Sequence, residues 1–145
     1  MSNLIDRRAP KNTTPFVTGL ADAVLREIAE LLDTLIETGE TGIIDLHSLP
    51  MTDADRDMLK EGLGEGEVRV DLDVAGPSRI EETGTAGVWW VRHEGADGRI
   101  AAELIEVTRI PEILLSHPDD IREGRTRLRE HLDEAGETGT EELAE

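Results

Sequence analysis

The chain has no cysteine and no tyrosine, one phenylalanine and two tryptophans. Without cysteine there is no disulfide, no thiolate metal ligand and no thiol nucleophile or redox centre. Positive charge is the second shortage: 15 basic residues stand against 33 acidic ones, for a net charge of −18. A surface of that sign repels phosphate backbones and anionic lipid headgroups, which argues against nucleic-acid and membrane partners and favours basic ones. The simpler reading of the acid excess is that it keeps the protein in solution. Apolar length is the third shortage. No run approaches the roughly 18 residues of a membrane-spanning helix. The opening Met1-Ser-Asn-Leu-Ile-Asp-Arg-Arg also lacks the apolar core of a secretory signal, so a cytoplasmic location is expected.

A length of 145 residues suits one domain with a single core. Residues 1–14 are polar and without period, and are expected to be a flexible arm. Thr14-Pro15 offers a cap and a first-turn proline, and Val17, Leu20, Val24, Ile28, Leu31 and Leu35 then recur at spacings of three and four. That is one stripe of an amphipathic helix over residues 15–38, widened by Ala21, Leu25, Leu32 and Ile36 and ended by Gly39. The stripe packs either on a core or on a second copy of the helix.

Gly42-Ile-Ile-Asp-Leu46 reads as a short strand. Thr52-Asp-Ala-Asp55 resembles a capping box, with Asp in place of the usual Glu, opening a helix that Gly62, Gly64 and Gly66 break off. Residues 67–74 alternate apolar and charged, as a half-buried antiparallel strand does. Gly76-Pro77 makes a turn, and a longer strand runs from Ser78 to His93, its pattern shifting at residues 84–87 as at a β-bulge or bend. Asp97-Gly98 turns the chain into a strand over residues 99–110. Ser116-His-Pro-Asp-Asp opens a last helix with a thin stripe of Ile121, Arg125, Leu128 and Leu132. The domain is expected to span residues 15–132, with residues 133–145 a disordered acidic tail. The fold class is α+β: an antiparallel meander of about four strands, with helices packed on one face.

Little here specifies bond-making chemistry. The histidines at 47, 93, 117 and 131 have no ligand spacing on one helix, so no metal site and no cofactor is expected. Ser48, Ser78 and Ser116 lack the flanks of a nucleophile elbow. Gly62, Gly64 and Gly66 follow a helix and precede a strand, the reverse of a phosphate loop. A small hydrolase-like enzyme would have to draw on His93 with Glu81 and Glu82, yet neighbours on a strand point to opposite faces. Trp89 and Trp90 obey the same rule. One enters the core and the other lies on the second face, near Arg92 or His93 and the acids Glu81 and Glu82. That makes Trp89, Trp90, Arg92, His93, Glu81 and Glu82 a candidate partner-binding patch, with Trp89 slightly favoured as the exposed ring.

The run Ile44-Asp-Leu-His-Ser-Leu-Pro-Met-Thr-Asp-Ala-Asp, followed by Leu63-Gly-Glu-Gly-Glu-Val68, resembles the HupH/HyaF family of hydrogenase expression and maturation proteins. So do Ile80-Glu-Glu-Thr83, Gly87-Val-Trp-Trp-Val-Arg-His93, Ile105-Glu-Val107 and Ile110-Pro111. The resemblance covers about half the chain. Thr85 and Ala86 stand where the family pattern favours an apolar residue and a proline, and Trp90 where a basic or polar residue is common. The resemblance implies a non-enzymatic chaperone or scaffold for NiFe hydrogenase. Its partner would be a hydrogenase subunit, such as the iron–sulfur small subunit, or another maturation protein. A generic homodimeric module built on the first helix is the other non-enzymatic reading.

Overall fold

A computed structural model describes residues 17–73 and 75–144, with residues 137–144 as backbone only. The expected arm over residues 1–14 and the Thr14-Pro15 cap lie outside the described residues. The chain forms two compact units, one through Pro111 and one from Glu112 onward.

The first unit opens with helix α1, Leu20–Thr38. Gly19 precedes it at φ 92°, and Gly39 ends it in the left-handed region with its N–H on the Leu35 carbonyl. Strand β1, Gly42–Asp45, leads to helix α2, Asp53–Leu63, which starts in the expected capping box between Thr52 and Asp55. Four strands follow: β2, Glu65–Asp73; β3, Pro77–Thr83; β4, Val88–Glu94; and β5, Ile100–Val107. The sheet is antiparallel throughout, in the order β1-β5-β4-β3-β2.

The α+β class, the antiparallel sheet and the one-sided helices are as the sequence implies, but the strands number five. The difference lies at residues 84–87, expected as a bulge within one long strand. Gly87 stands at φ +87°, the Val88 N–H returns to the Thr85 carbonyl, and the chain reverses there into a hairpin. A pattern shift at two glycines fits either a bulge or a tight turn.

The strand register sorts the side chains. Val88, Trp90, Ile105, Val107 and Ile44 share one face and form the core with Ala21, Val24 and Ile28 of α1 and Leu59 and Leu63 of α2. The α1 stripe is therefore core packing. Its two ends differ: Ile28 is fully buried, whereas Leu31 and Leu35 are half-buried and Ile36 is exposed. Leu31 lies over Gly42, where an added Cβ would fall 2.7 Å from a Leu31 methyl. Ile28→Ala should cost about 2–5 kcal/mol, and more than Leu31→Ala, in chemical denaturation. A larger loss at Leu31 would mean that the packed face of α1 is turned from the one described.

Asp55 joins the two helices. It is fully buried, and its carboxylate accepts from the Thr52 N–H at 3.0 Å, the Thr18 N–H at 2.9 Å and the Thr18 hydroxyl at 2.7 Å. One side chain thus caps α2 and fixes the entry to α1. Burial pushes the carboxyl pKa up, but the hydrogen bonds from Thr52 and Thr18 outweigh it and hold the group at about 2. A carboxyl depressed below its ordinary value of about 4 contributes stability above that pH. The contribution is lost as pH falls through about 2. Asp55→Asn should lower stability at neutral pH and flatten the acid limb of the stability curve between those values. An acid limb as steep as in the parent chain would show that Asp55 is not the group responsible.

The second unit holds a 3-10 turn, Glu112–Leu114, and helix α3, Pro118–Ala144. The stretch from Asp133 onward, expected as a disordered tail, is helical as far as Ala144. Its Glu and Ala residues are good helix formers even where no apolar stripe exists. Ile121, Leu128 and Leu132 lie exposed along α3.

Candidate functional site

The last turn of α2 and the chain that leaves it shape a groove beside the sheet. Gly64, at φ +77°, ends the helix, and its carbonyl accepts from the Gly84 N–H at 2.9 Å. Two residues on, a Cβ on Gly66 would lie 2.6 Å from the carbonyl oxygens of Glu82 and Thr83, so only glycine permits this approach of β2 to β3. Glu65 pairs with Thr83 and Arg69 with Glu81, four steps on β2 against two on β3. The extra residues bulge outward and wall the groove. The Leu63-Gly-Glu-Gly-Glu-Val68 run is thus the segment that makes it.

The groove has a volume of about 500 Å³, with Trp90 and Arg92 of β4 on one side and Lys60 of α2 above them. The Lys60 ammonium sits 5.5 Å from the centre of the Trp90 ring, a cation–π contact. Glu65, Glu67, Glu81 and Glu82 line it as well, with Arg69 and Arg79. Arg79 donates to Asp71 at 3.0 Å, which raises its pKa from the ordinary value.

Behind Trp90 and Arg92 lies a buried polar cluster. Glu103 of β5 is fully buried in phase with Ile105 and Val107. Its carboxylate accepts from Trp90 Nε1 at 3.0 Å and Arg92 Nη2 at 2.9 Å, and pairs with the Arg56 guanidinium of α2. The Glu103 carbonyl also accepts from the Leu46 and His47 N–H groups after β1. One residue thereby ties α2, β4, β5 and the β1–α2 loop. A buried charge is tolerated when it is paired and hydrogen-bonded, as here.

The expected patch is divided by this geometry. Trp90, Arg92, Glu81 and Glu82 border the groove. Trp89 lies on the opposite face of β4, its Nε1 donating to the Thr108 carbonyl at 3.2 Å. His93 shares that opposite face, its Nδ1 2.6 Å from the Ser78 hydroxyl. The expectation that one tryptophan is left near solvent does not hold: Trp89 is 6% exposed and Trp90 7%. Both faces of β4 are buried, since Val91 and Ile80 behind Trp89 are as enclosed as Val88 beside Trp90. His93 does not join Glu81 and Glu82 in one pocket, so the arrangement required of a hydrolase-like site is not formed.

Lys60, Arg56 and Glu103 were not singled out from sequence, and Asp55 is read there only as the acid of the capping box. Glu103 carried a signal, being an acid in phase with inward-facing Ile105 and Val107. Among the described residues, no three His, Asp or Glu side chains could hold a metal ion, and no helix is long and apolar enough to cross a membrane.

The fold and groove define an α+β domain whose most distinctive surface is a charged recess at the end of its sheet. Comparison with known proteins gives it a family. The model of the HupH hydrogenase expression protein, C-terminal conserved region, matches residues 19–135, and the chain belongs to that family. It is 34% identical over 136 residues to the hydrogenase expression/formation protein HoxQ of Azotobacter vinelandii, covering 88% of this chain and 48% of HoxQ. It is 34% identical over 119 residues to the hydrogenase expression/formation protein HupH of Rhodobacter capsulatus, covering 79% and 43% of the two chains. The chain thus spans about half the length of the curated relatives it matches. Among solved structures, the hydrogenase expression protein HupH from Thiobacillus denitrificans superposes with a TM-score of 0.76 at 42% identity, over 81% of this chain and 98% of that one.

Proposed function

We propose that this chain serves hydrogenase expression and maturation as a non-enzymatic accessory protein that works by holding a partner protein, as a chaperone or scaffold. The partner would be a hydrogenase subunit, such as the iron–sulfur small subunit, or another maturation protein. The observation that carries the reading is the family match over residues 19–135, joined to relatives named for hydrogenase expression and formation. The groove supports it, because the buried Glu103 carboxylate beside it is committed to hydrogen bonds and ion pairs that shape a surface.

The experiment is genetic. Disrupting the gene in its own host should sharply lower hydrogenase activity in extracts while the transcripts of the structural subunits persist. A plasmid copy should restore the activity. Unchanged activity in the disrupted strain would overturn the reading.

A further inference from the structure

The groove is lined by charges of both signs, Lys60, Arg69, Arg79 and Arg92 with Glu65, Glu67, Glu81 and Glu82. Arg56 and Arg92 pair with the single buried carboxylate of Glu103, and Lys60 stands over the neighbouring Trp90 ring. The Lys60 side chain makes no ion pair among the described residues; its ammonium lies against the Trp90 ring. Arg92 donates through Nη2 to Glu103, while its Nε–H is enclosed without an acceptor. Two cationic groups therefore keep hydrogen-bonding capacity unspent in a protein of net charge −18. Glu65 and Glu67 lie at the Thr83 end of the β2–β3 pair, away from Arg92, which is paired across β3 with Arg79; Arg69 and Arg79 are drawn to Asp71 on β2.

A free anion at Lys60 would also meet repulsion from the glutamates that line the groove. A ligand with an acid at its centre and bases on its flanks would meet attraction at both places. The strand order supplies a track for such a ligand, because β2 is an outer strand paired only with β3. Among the described residues that outer edge has no strand partner, and such an edge can add an extended chain. The groove is also large enough for several side chains.

We propose that the groove between α2 and the β2–β3 hairpin holds an extended peptide segment in which an Asp or Glu seats against Lys60 and Arg92 and neighbouring Lys or Arg residues lie on Glu65 and Glu67. The inference rests on the partner-holding reading above and names the chemistry of what is held. The segment belongs to the partner protein.

Overlapping short peptides covering the hydrogenase subunits and maturation proteins of the same cell, displayed on an array, test it with the full chain and its Lys60→Glu variant. The full chain should select peptides with an acid between bases. Lys60→Glu should weaken the best of them by about tenfold or more, the scale of a close charge pair. Changing the central acid of that peptide to Lys should abolish binding to the parent chain and restore it to Lys60→Glu. Lys60 is an exposed helical residue, and an unchanged far-ultraviolet circular dichroism spectrum and melting curve would confirm that the variant is folded. Equal binding by parent and variant, indifference to the central acid, or no peptide held at all would each overturn the proposal. Intact subunits assayed in parallel separate the two claims. Subunits captured without the peptide preference would sink the groove alone, whereas no capture of any subunit would sink the partner reading with it.

Discussion

Replacing Glu103 with leucine should destabilise the protein by about 3–5 kcal/mol, the cost of removing one partner from a buried ion pair. The carboxylate is fully enclosed, and its loss strands Arg56 and Arg92 and leaves the Trp90 N–H without its acceptor. The double change Glu103→Leu with Arg92→Met should cost less than the sum of its parts, because it removes one of the stranded charges along with the acid. Urea unfolding of the two single variants and the double measures this coupling. A Glu103→Leu loss below about 1 kcal/mol would mean that the cluster is open to water and does not tie the elements together.

Trp90→Ala should cost about 3–5 kcal/mol, the range for large aromatic side chains removed from a core. Trp90 joins Val88, Ile105 and Val107 beneath the helices and carries the Lys60 ammonium over its ring. Trp90→Phe should lose much less, chiefly the hydrogen bond to the Glu103 carboxylate, at about 1.5–3 kcal/mol. Thermal and chemical unfolding of the pair check both figures. A Trp90→Ala protein as stable as its parent would show that the ring is a surface anchor after all.

The elements were legible where one physical signal ruled. The three-and-four spacing from Val24 to Leu35 could only be an amphipathic helix, and the Thr52 capping box announced the second. Antiparallel pairing followed from the alternation in residues 67–74. Two features were hidden because sequence pattern records burial only by polarity. Asp55 and Glu103 are fully buried acids, and their partners, Thr18 and Arg56, lie far away in the chain. The tryptophans failed differently. Alternation correctly sent Trp89 and Trp90 to opposite faces, but the inference that one face is wet assumed a sheet covered on one side only, and both faces of β4 are buried. The groove was half legible. Glycine spacing after α2 marked a helix stop, but the close approach that requires Gly66 appears only when β2 and β3 are side by side.

The central claim is that this chain holds a protein partner in hydrogenase formation. The most direct measurement is affinity capture of the tagged full chain from cells forming hydrogenase, with the bound proteins quantified by mass spectrometry. A strain lacking the hydrogenase structural genes serves as reference. The account predicts a hydrogenase subunit or maturation protein bound in amounts comparable to the bait, and markedly less of it with Lys60→Glu. Identical bound proteins in both strains, with no hydrogenase subunit or maturation protein among them, would contradict it.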